Sequence, residues 1–275
     1  MAEAKKDYLA IAKQKGYRPK DVQSYRKIMV YGRNKKGKSR FALSAGIERT
    51  LVLDPEHGVD TMQELNPYVW PITKWEDIQE AYGALRTGKL SPRTMGLGTS
   101  DVPFDWVSVD GLTRMNKMAL RYVMKLAEEK DLDRRPGMVD RRDYGKSGEL
   151  MSQMLTNFHT LPMNVVYTAQ ERMITLDDGD EDGGEGAFFV ADLPASARSS
   201  ANAIVEVIGR IYSTRTDVPV RGGGTKEVMQ RRLFIGLHER YDTGFRSDFK
   251  LPDMIKNPTL DKLVNLMLTG QEKTK

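Results

Sequence analysis

The chain has 275 residues, 39% hydrophobic and 29% charged, with 43 Lys and Arg against 38 Asp and Glu for a net charge of +5. That balance excludes a disordered chain, the absence of Cys excludes disulfides and zinc–thiolate sites, and no apolar run approaches the ~20 residues of a membrane span. A charged N-terminus without the apolar stretch of a secretory signal fits a cytoplasmic protein, and the mild basicity is compatible with a polyanionic partner without requiring one.

Residues 1–25 read as an N-terminal helical segment followed by a turn around Arg18 and Pro19, and residues 26–275 as one α/β domain. Ile28 to Tyr31 is an apolar run that suits a buried strand. A Gly-rich turn follows, and residues 40–50 have a helical pattern. Leu51 to Leu53 form a second buried strand ending at Asp54, and residues 69–72 a third. Residues 75–85 predict an amphipathic helix with Trp75, Ile78, Ala81, Tyr82 and Leu85 on one face. Trp106 to Val109 is the next strand, ending at Asp110. Residues 112–130 and 147–160 read as helices separated by a charged segment containing Gly and Pro. Residues 164–168 are rich in β-formers, and an acidic loop follows at 177–186. Residues 203–212 and 231–237 are strand-like and flank Gly222-Gly223-Gly224, which predicts a hairpin. Residues 252–269 close the chain as a short helix. Strands alternating with helices through residue 168 indicate an α/β fold, a mainly parallel sheet flanked by helices, with an antiparallel hairpin near the C-terminus.

The turn after the first strand reads Gly32-Arg33-Asn34-Lys35-Lys36-Gly37-Lys38-Ser39, and every fixed position of the P-loop pattern G-x-x-x-x-G-K-[ST] is filled. Gly32 and Gly37 permit the backbone conformations that turn successive N–H groups toward phosphate oxygens. Lys38 reaches the terminal phosphates, and the Ser39 hydroxyl is a Mg²⁺ ligand. The helix starting near Arg40 adds its positive end. Lys35 and Lys36 either add phosphate attraction or are exposed loop lysines. The cofactors expected from the motif are ATP and Mg²⁺. A P-loop also needs a carboxylate at the end of a neighbouring strand to hold the magnesium shell, and Asp110 supplies it. Hydrolysis needs a group that orients or deprotonates water.

Asp54-Pro55-Glu56-His57-Gly58-Val59-Asp60 is similar to the segment of bacterial RecA recombinases that carries their catalytic glutamate. The resemblance implies that Glu56 activates water while Asp54 and His57 shape the turn. Asn164 to Gln170 is a strand ending in Gln, as in RecA-like proteins, which implies that Gln170 senses the terminal phosphate and signals it to a DNA-binding loop. Met151 to Leu155 resembles the helix that enters this strand. From about residue 24 to 262 the chain resembles the phage RecA-like P-loop ATPases of the Sak single-strand-annealing group, AAA-like nucleotide-binding proteins. The match rests on Asp143-Tyr144-Gly145-Lys146 before a helix, Thr168-Ala169-Gln170, and Leu251-Pro252 with Ile255 and Asn257-Pro258. It implies a RecA-like core, single-stranded DNA as partner, self-association into a ring or filament, a single-strand-binding protein as a further partner, and the host bacterial cytoplasm.

RecA-like proteins bind DNA through two loops. The first falls here within residues 130–148, with Arg134, Arg135, Arg141, Arg142 and Lys146 as phosphate contacts and Tyr144 as a stacking group; a solvated mixed-charge loop is the equal alternative. The second starts at Glu171 and runs to about Ser200. Its acidic core repels phosphate, which leaves Arg172, Arg198 and the Phe188-Phe189 pair as contacts. Arg246 is the candidate finger onto a neighbouring subunit's phosphates, with Lys250 and Arg240 next. Two other classes compete: a nucleotide-switched assembly or helicase-loader-type protein that binds protein partners, favoured by the acidic loop, and a small-molecule kinase, which lacks an Arg-rich lid motif.

Overall fold

The computed structural model describes residues 8–18, 20, 23–58, 62–131, 133–176, 186–219 and 223–272. Asp60, the acidic segment 177–185 and Gly222 lie outside the described residues. After helix α1 (Tyr8–Lys15) come strand β1 (Lys27–Gly32), helix α2 (Lys38–Ala42), β2 (Thr50–Asp54), β3 (Tyr68–Pro71), α3 (Trp75–Leu85) and β4 (Trp106–Asp110). Next are α4 (Leu112–Lys130), α5 (Arg141–His159), β5 (Asn164–Leu176), β6 (Gly186–Ala191) and α6 (Ala195–Ile204). The chain continues through β7 (Val207–Pro219), β8 (Thr225–Phe234), β9 (Gly244–Phe245), β10 (Met254–Lys256) and α7 (Leu260–Thr269).

The strands form one sheet in the order β10-β8-β7-β1-β5-β4-β2-β3, with β6 attached to β5 and β9 to β7. The six strands from β7 to β3 run parallel, whereas β8, β10, β6 and β9 pair antiparallel. Alternation along each central strand feeds two cores. Met29, Tyr31, Val165 and Tyr167 face the layer of α3, α4, α5 and α6. Ile28, Val30 and Val166 face α2 and α7. The fold is therefore the α/β architecture expected, and its parallel strands all deliver their C-terminal ends to one edge.

Two consequences of register matter for the site. β5 lies between β1 and β4, so the phosphate loop and Asp110 are separated by one strand. Asp110 and Thr168 are also direct partners across β4 and β5.

Several boundaries differ from the sequence reading. The helical pattern over 40–50 breaks after Ala42 into two 3-10 turns, because Ser44 Oγ donates back to the Phe41 carbonyl (2.5 Å) and Gly46 adopts a positive φ of 113°. α5 begins at Arg141 rather than 147, since Asp140 accepts from Arg142 N and Asp143 reaches back to Asp140 N (2.8 Å) as a capping box. Ala203 and Ile204 end α6 instead of opening a strand. The hairpin has longer arms than expected, β7 and β8 pairing from Arg210 with Phe234 out to Pro219 with Thr225. Leu237 lies beyond the end of β8 and is 90% exposed.

Candidate functional site

β1 runs buried to Gly32, where it meets β7 at Ile211. Gly37 at φ +88° turns the loop into α2, and the space a Cβ would need there is filled by the Arg231 side chain of β8 at 2.8–3.1 Å. Lys38 Nζ donates to the carbonyls of Gly32 (2.9 Å) and Arg33 (3.1 Å), closing the loop on itself. Burial lowers the Lys38 pKa, while Asp110, Glu56 and Glu171 pull it up. α2 is only five residues long, so loop N–H groups rather than a long helix dipole supply the anion attraction.

Asp110 is 8% exposed and accepts from Thr168 Oγ1 at 2.6 Å, and the Ser39 hydroxyl lies against the same carboxylate. Burial raises its pKa, and the Ser39 and Thr168 hydroxyls oppose the rise. At the end of β2, Asp54 accepts from Glu56 N (3.0 Å) and Gly58 N (3.2 Å), and His57 takes a left-handed φ of 54°. This turn lays Glu56 against Gly111, which caps α4. Burial raises the Glu56 pKa, Asp110 adds to the rise, and Lys38 opposes it. Gln170 N donates to Thr113 Oγ1 (3.1 Å), Thr113 Oγ1 donates to the Asp192 carbonyl (3.0 Å), and Asp192 N donates to the Gln170 carbonyl (2.8 Å). Lys38, Ser39, Glu56, Asp110 and Gln170 thus converge on one cavity of about 570 Å³.

The donor set tests the expected cation. Ser39 and Asp110 offer hard oxygens side by side. Among the described residues no three His, Asp or Glu gather into an all-protein cage. Mg²⁺ is held in that manner, by one or two protein oxygens with phosphate and water completing the shell. The residues fit it.

The other predicted residues divide. Asn34, Lys35 and Arg40 line the cavity. Arg33 points outward to Glu171 Oε1 (3.3 Å), and Lys36 is half-buried without lining the cavity. Arg246 is committed within its own chain: its guanidinium donates to the carbonyls of Asn202 and Ala203 (3.0 Å each), capping the end of α6. Arg134 is likewise engaged, bound to the buried Asp143 and donating to the Met138 carbonyl (3.1 Å). It holds the turn before α5, which corrects its assignment as a free phosphate contact. Arg141, Arg142, Tyr144 and Lys146 are exposed on the first turns of α5, not in a loop, and Arg135 is exposed before it. Arg172 lies 3.7 Å from Asp192, and Arg198 is half-buried on α6 with Nη1 unpartnered among the described residues.

Four contributors were not read from the sequence. Thr168 orients Asp110 and Thr113 anchors Gln170. Arg231 packs on the phosphate loop. Glu171 is 3% exposed and joins Arg33 to Arg210, whose guanidinium stands over the Tyr241 ring at 4.4 Å. The Thr-x-Gln spacing at a strand end carries a signal for Thr168, but the others depend on tertiary register.

Among the described residues no helix is long and apolar enough to cross a membrane. No curated protein matches the chain. Among solved structures it is similar to a KaiC-like protein of Pyrococcus horikoshii, with 10% identity over 76% of this chain and 84% of that one, at a TM-score of 0.38. It is also similar to the flagellar accessory protein FlaH of Methanocaldococcus jannaschii, with 12% identity, 84% of each chain covered and a TM-score of 0.35. A family model described as an AAA domain matches residues 24–247, and with most of its length inside that match the chain belongs to the AAA-domain family AAA_24.

Proposed function

We propose that the protein binds and hydrolyses ATP with Mg²⁺ and acts as an oligomer on single-stranded DNA, in recombination or strand annealing of the phage RecA-like kind. The observation that carries the ATPase reading is the convergence of Lys38, Ser39, Glu56, Asp110 and Gln170 on one cavity. Loop N–H groups bind the phosphates, and Lys38 exchanges the Gly32 and Arg33 carbonyls for phosphate oxygens. Mg²⁺ held by Ser39 and Asp110 supplies positive charge against the phosphate oxygens. Thr168 keeps Asp110 aimed at that position. Glu56 takes the proton of the attacking water, a task that its raised pKa suits. Gln170 reads the terminal phosphate, and its backbone bonds to Thr113 and Asp192 tie that reading to the start of the β5–β6 pair.

The DNA part is supported by the exposed cations Arg135, Arg141, Arg142 and Lys146 with Tyr144 at the start of α5, and by Arg172. Lys250 and Arg240, both exposed, are the freer candidates for a finger onto a neighbouring subunit, because Arg246 must first release two carbonyls. ATP turnover measured with and without single-stranded DNA tests the whole reading. DNA-stimulated turnover that Glu56→Gln abolishes is expected, and turnover indifferent to that substitution overturns it. The acidic stretch Asp177 to Glu185 favours a second reading, a nucleotide-switched assembly protein that binds protein partners; salt-insensitive partner binding without DNA affinity distinguishes it.

A further inference from the structure

A second cleft, of about 230 Å³, opens between the start of α3 and the outer face of α4. Arg114, Met118, Arg121, Tyr122 and Lys125 fall on one stripe of α4 and all line it. Lys74 and Trp75 close it from α3, and Glu76 is its single carboxylate against four cations.

The Arg114 and Arg121 side chains have no ion pair or hydrogen bond among the described residues, and the Lys125 ammonium has only a loose contact with Glu129 at 3.8 Å. Elsewhere the arginines near carboxylates are paired, as Arg134, Arg210 and Arg49 are. The floor is apolar and aromatic. Trp75 is 3% exposed, and its Nε1, without a hydrogen-bond partner among the described residues, is closed off from the cleft. The α3 N-terminus itself is already served by Asp77, which accepts from Thr73 N (2.7 Å) and Lys74 N (3.0 Å). The cations and the half-buried Tyr122 therefore carry the site, not the helix end.

Free cations lining one cleft with the Tyr122 ring suit a phosphate-bearing ligand with an aromatic ring, in which phosphate meets arginine and the ring stacks. α4 also touches the ATP cavity. Its cap, Gly111, lies against Glu56, and Thr113 in its first turn holds Gln170. Arg114 is one helical turn beyond Gly111. It faces the cleft while its charge still acts on Glu56, alongside Asp110, Lys38 and Asp54.

We propose that the α3–α4 cleft is an effector site for a nucleotide unit, in a single strand or free, and that its occupancy reaches the phosphate-loop cavity through the first turn of α4, where Gly111 lies against Glu56 and Thr113 holds Gln170. Filling the cleft fixes that first turn of α4 against the cavity, so turnover rises when the cleft is occupied. Only this coupling rests on the ATPase reading; binding to the cleft does not.

The test compares the full chain with Arg121→Glu/Lys125→Glu, whose side chains are exposed. Lys89→Glu, exposed in the turn after α3, is the control. Binding of a twenty-residue oligothymidylate and of thymidine monophosphate is titrated in a Lys38→Ala background, which silences the phosphate loop, and ATP turnover is read with Lys38 intact. The cleft variant is expected to lose at least tenfold in oligonucleotide affinity, with the salt slope reduced by about 1.4 for two phosphate contacts. Its basal turnover stays unchanged while the stimulation by DNA disappears, and Lys89→Glu behaves as wild type. Loss of binding of the strand alone assigns the site to nucleic acid, and loss of monophosphate binding assigns it to free nucleotide. Oligonucleotide bound equally by variant and wild type overturns the cleft while leaving a DNA role elsewhere intact. Binding of neither probe, or polyglutamate binding as tightly as the oligonucleotide, also overturns it. Absent basal turnover in every protein would remove the ATPase reading and the coupling, with cleft binding still decided by titration.

Discussion

The ATP cavity and the segment from Asp131 to Lys146 are both dense in charge, and they use it in opposite ways. In the cavity, Lys38, Glu56, Asp110 and Gln170 come from different strand ends and are brought to one volume by the sheet. Burial raises both the Glu56 and the Asp110 pKa, with Asp110 adding to the rise at Glu56 and Asp54 to the rise at Asp110. In the segment, charges that are neighbours in sequence satisfy one another: Arg134 holds Asp143 well below the usual carboxylate range, and Asp140 caps α5. Charge gathered from afar at a cost to stability is the mark of a reacting site, whereas charge paired locally builds the scaffold. Arg135, Arg141, Arg142 and Lys146 are the cations that the segment leaves exposed.

The comparison is broken most directly at Glu56 and Lys38. Glu56→Gln should lower ATP turnover by about 10²–10⁴ while leaving ATP binding intact. Lys38→Ala should lower both. Equal loss of binding in the two proteins, measured with a fluorescent ATP analogue, would make Glu56 a structural residue. Next in size is Thr168→Val. It deletes the 2.6 Å hydrogen bond to Asp110 without removing a ligand. The Mg²⁺ concentration for half-maximal turnover should rise roughly 10- to 100-fold, as for other residues that orient a metal ligand. An unchanged Mg²⁺ titration would dissociate Thr168 from the cation.

In the charged segment the expectation reverses. Arg134→Ala should lower the thermal midpoint by several degrees, because Asp143, 1% exposed, loses its cation. Arg141→Ala/Arg142→Ala should leave the midpoint almost unchanged, within the ~0.5 kcal/mol typical of surface substitutions, and weaken polyanion binding at low salt. If Arg134→Ala weakens DNA binding at unchanged stability, the assignment of that arginine to the scaffold fails.

Much of the cavity is readable locally, since Gly32 to Ser39, Asp54 to Gly58, Asp110 and Gln170 each sit in a short pattern at a strand end. α3 is readable because Trp75, Ile78, Ala81 and Leu85 repeat at helical spacing and all four are buried. α6 was not, because its buried face is only Ala197 and Ala201 amid Ser and Arg. The outer arms of β7 and β8 are half-exposed and carry charges on both faces, so alternation fades there. Arg231 cannot be placed at Gly37, nor Glu171 between Arg33 and Arg210, without knowing that β1 lies between β7 and β5, with β8 beyond β7. Arg134 and Asp143 lie nine residues apart across a turn, and no helical or strand period joins them.

The smallest expected effect separates the two regions by pH. Burial and the nearby Asp110 and Asp54 raise the Glu56 pKa against the pull of Lys38 and Arg114. An acid whose folded pKa lies above its unfolded value, about 4.3 for Glu, keeps its proton longer in the folded state. The folded protein therefore loses stability as pH rises from the unfolded value through the raised one, and it keeps that loss at neutral pH. Glu56→Gln has no charge to hold, so nucleotide-free variant and wild type should share a thermal midpoint change near pH 4 that differs from the change at pH 7. At pH 7 the variant gains relative to wild type. Asp143 runs the other way: its lowered pKa stabilises the fold above the unfolded Asp value, and that support fades as pH falls through the lowered one. Arg134→Ala should accordingly destabilise at pH 7 and matter less under acid. Should Glu56→Gln instead be destabilised at pH 7 relative to pH 4, Glu56 would belong with the paired charges of the scaffold and its role as the strained base would be lost.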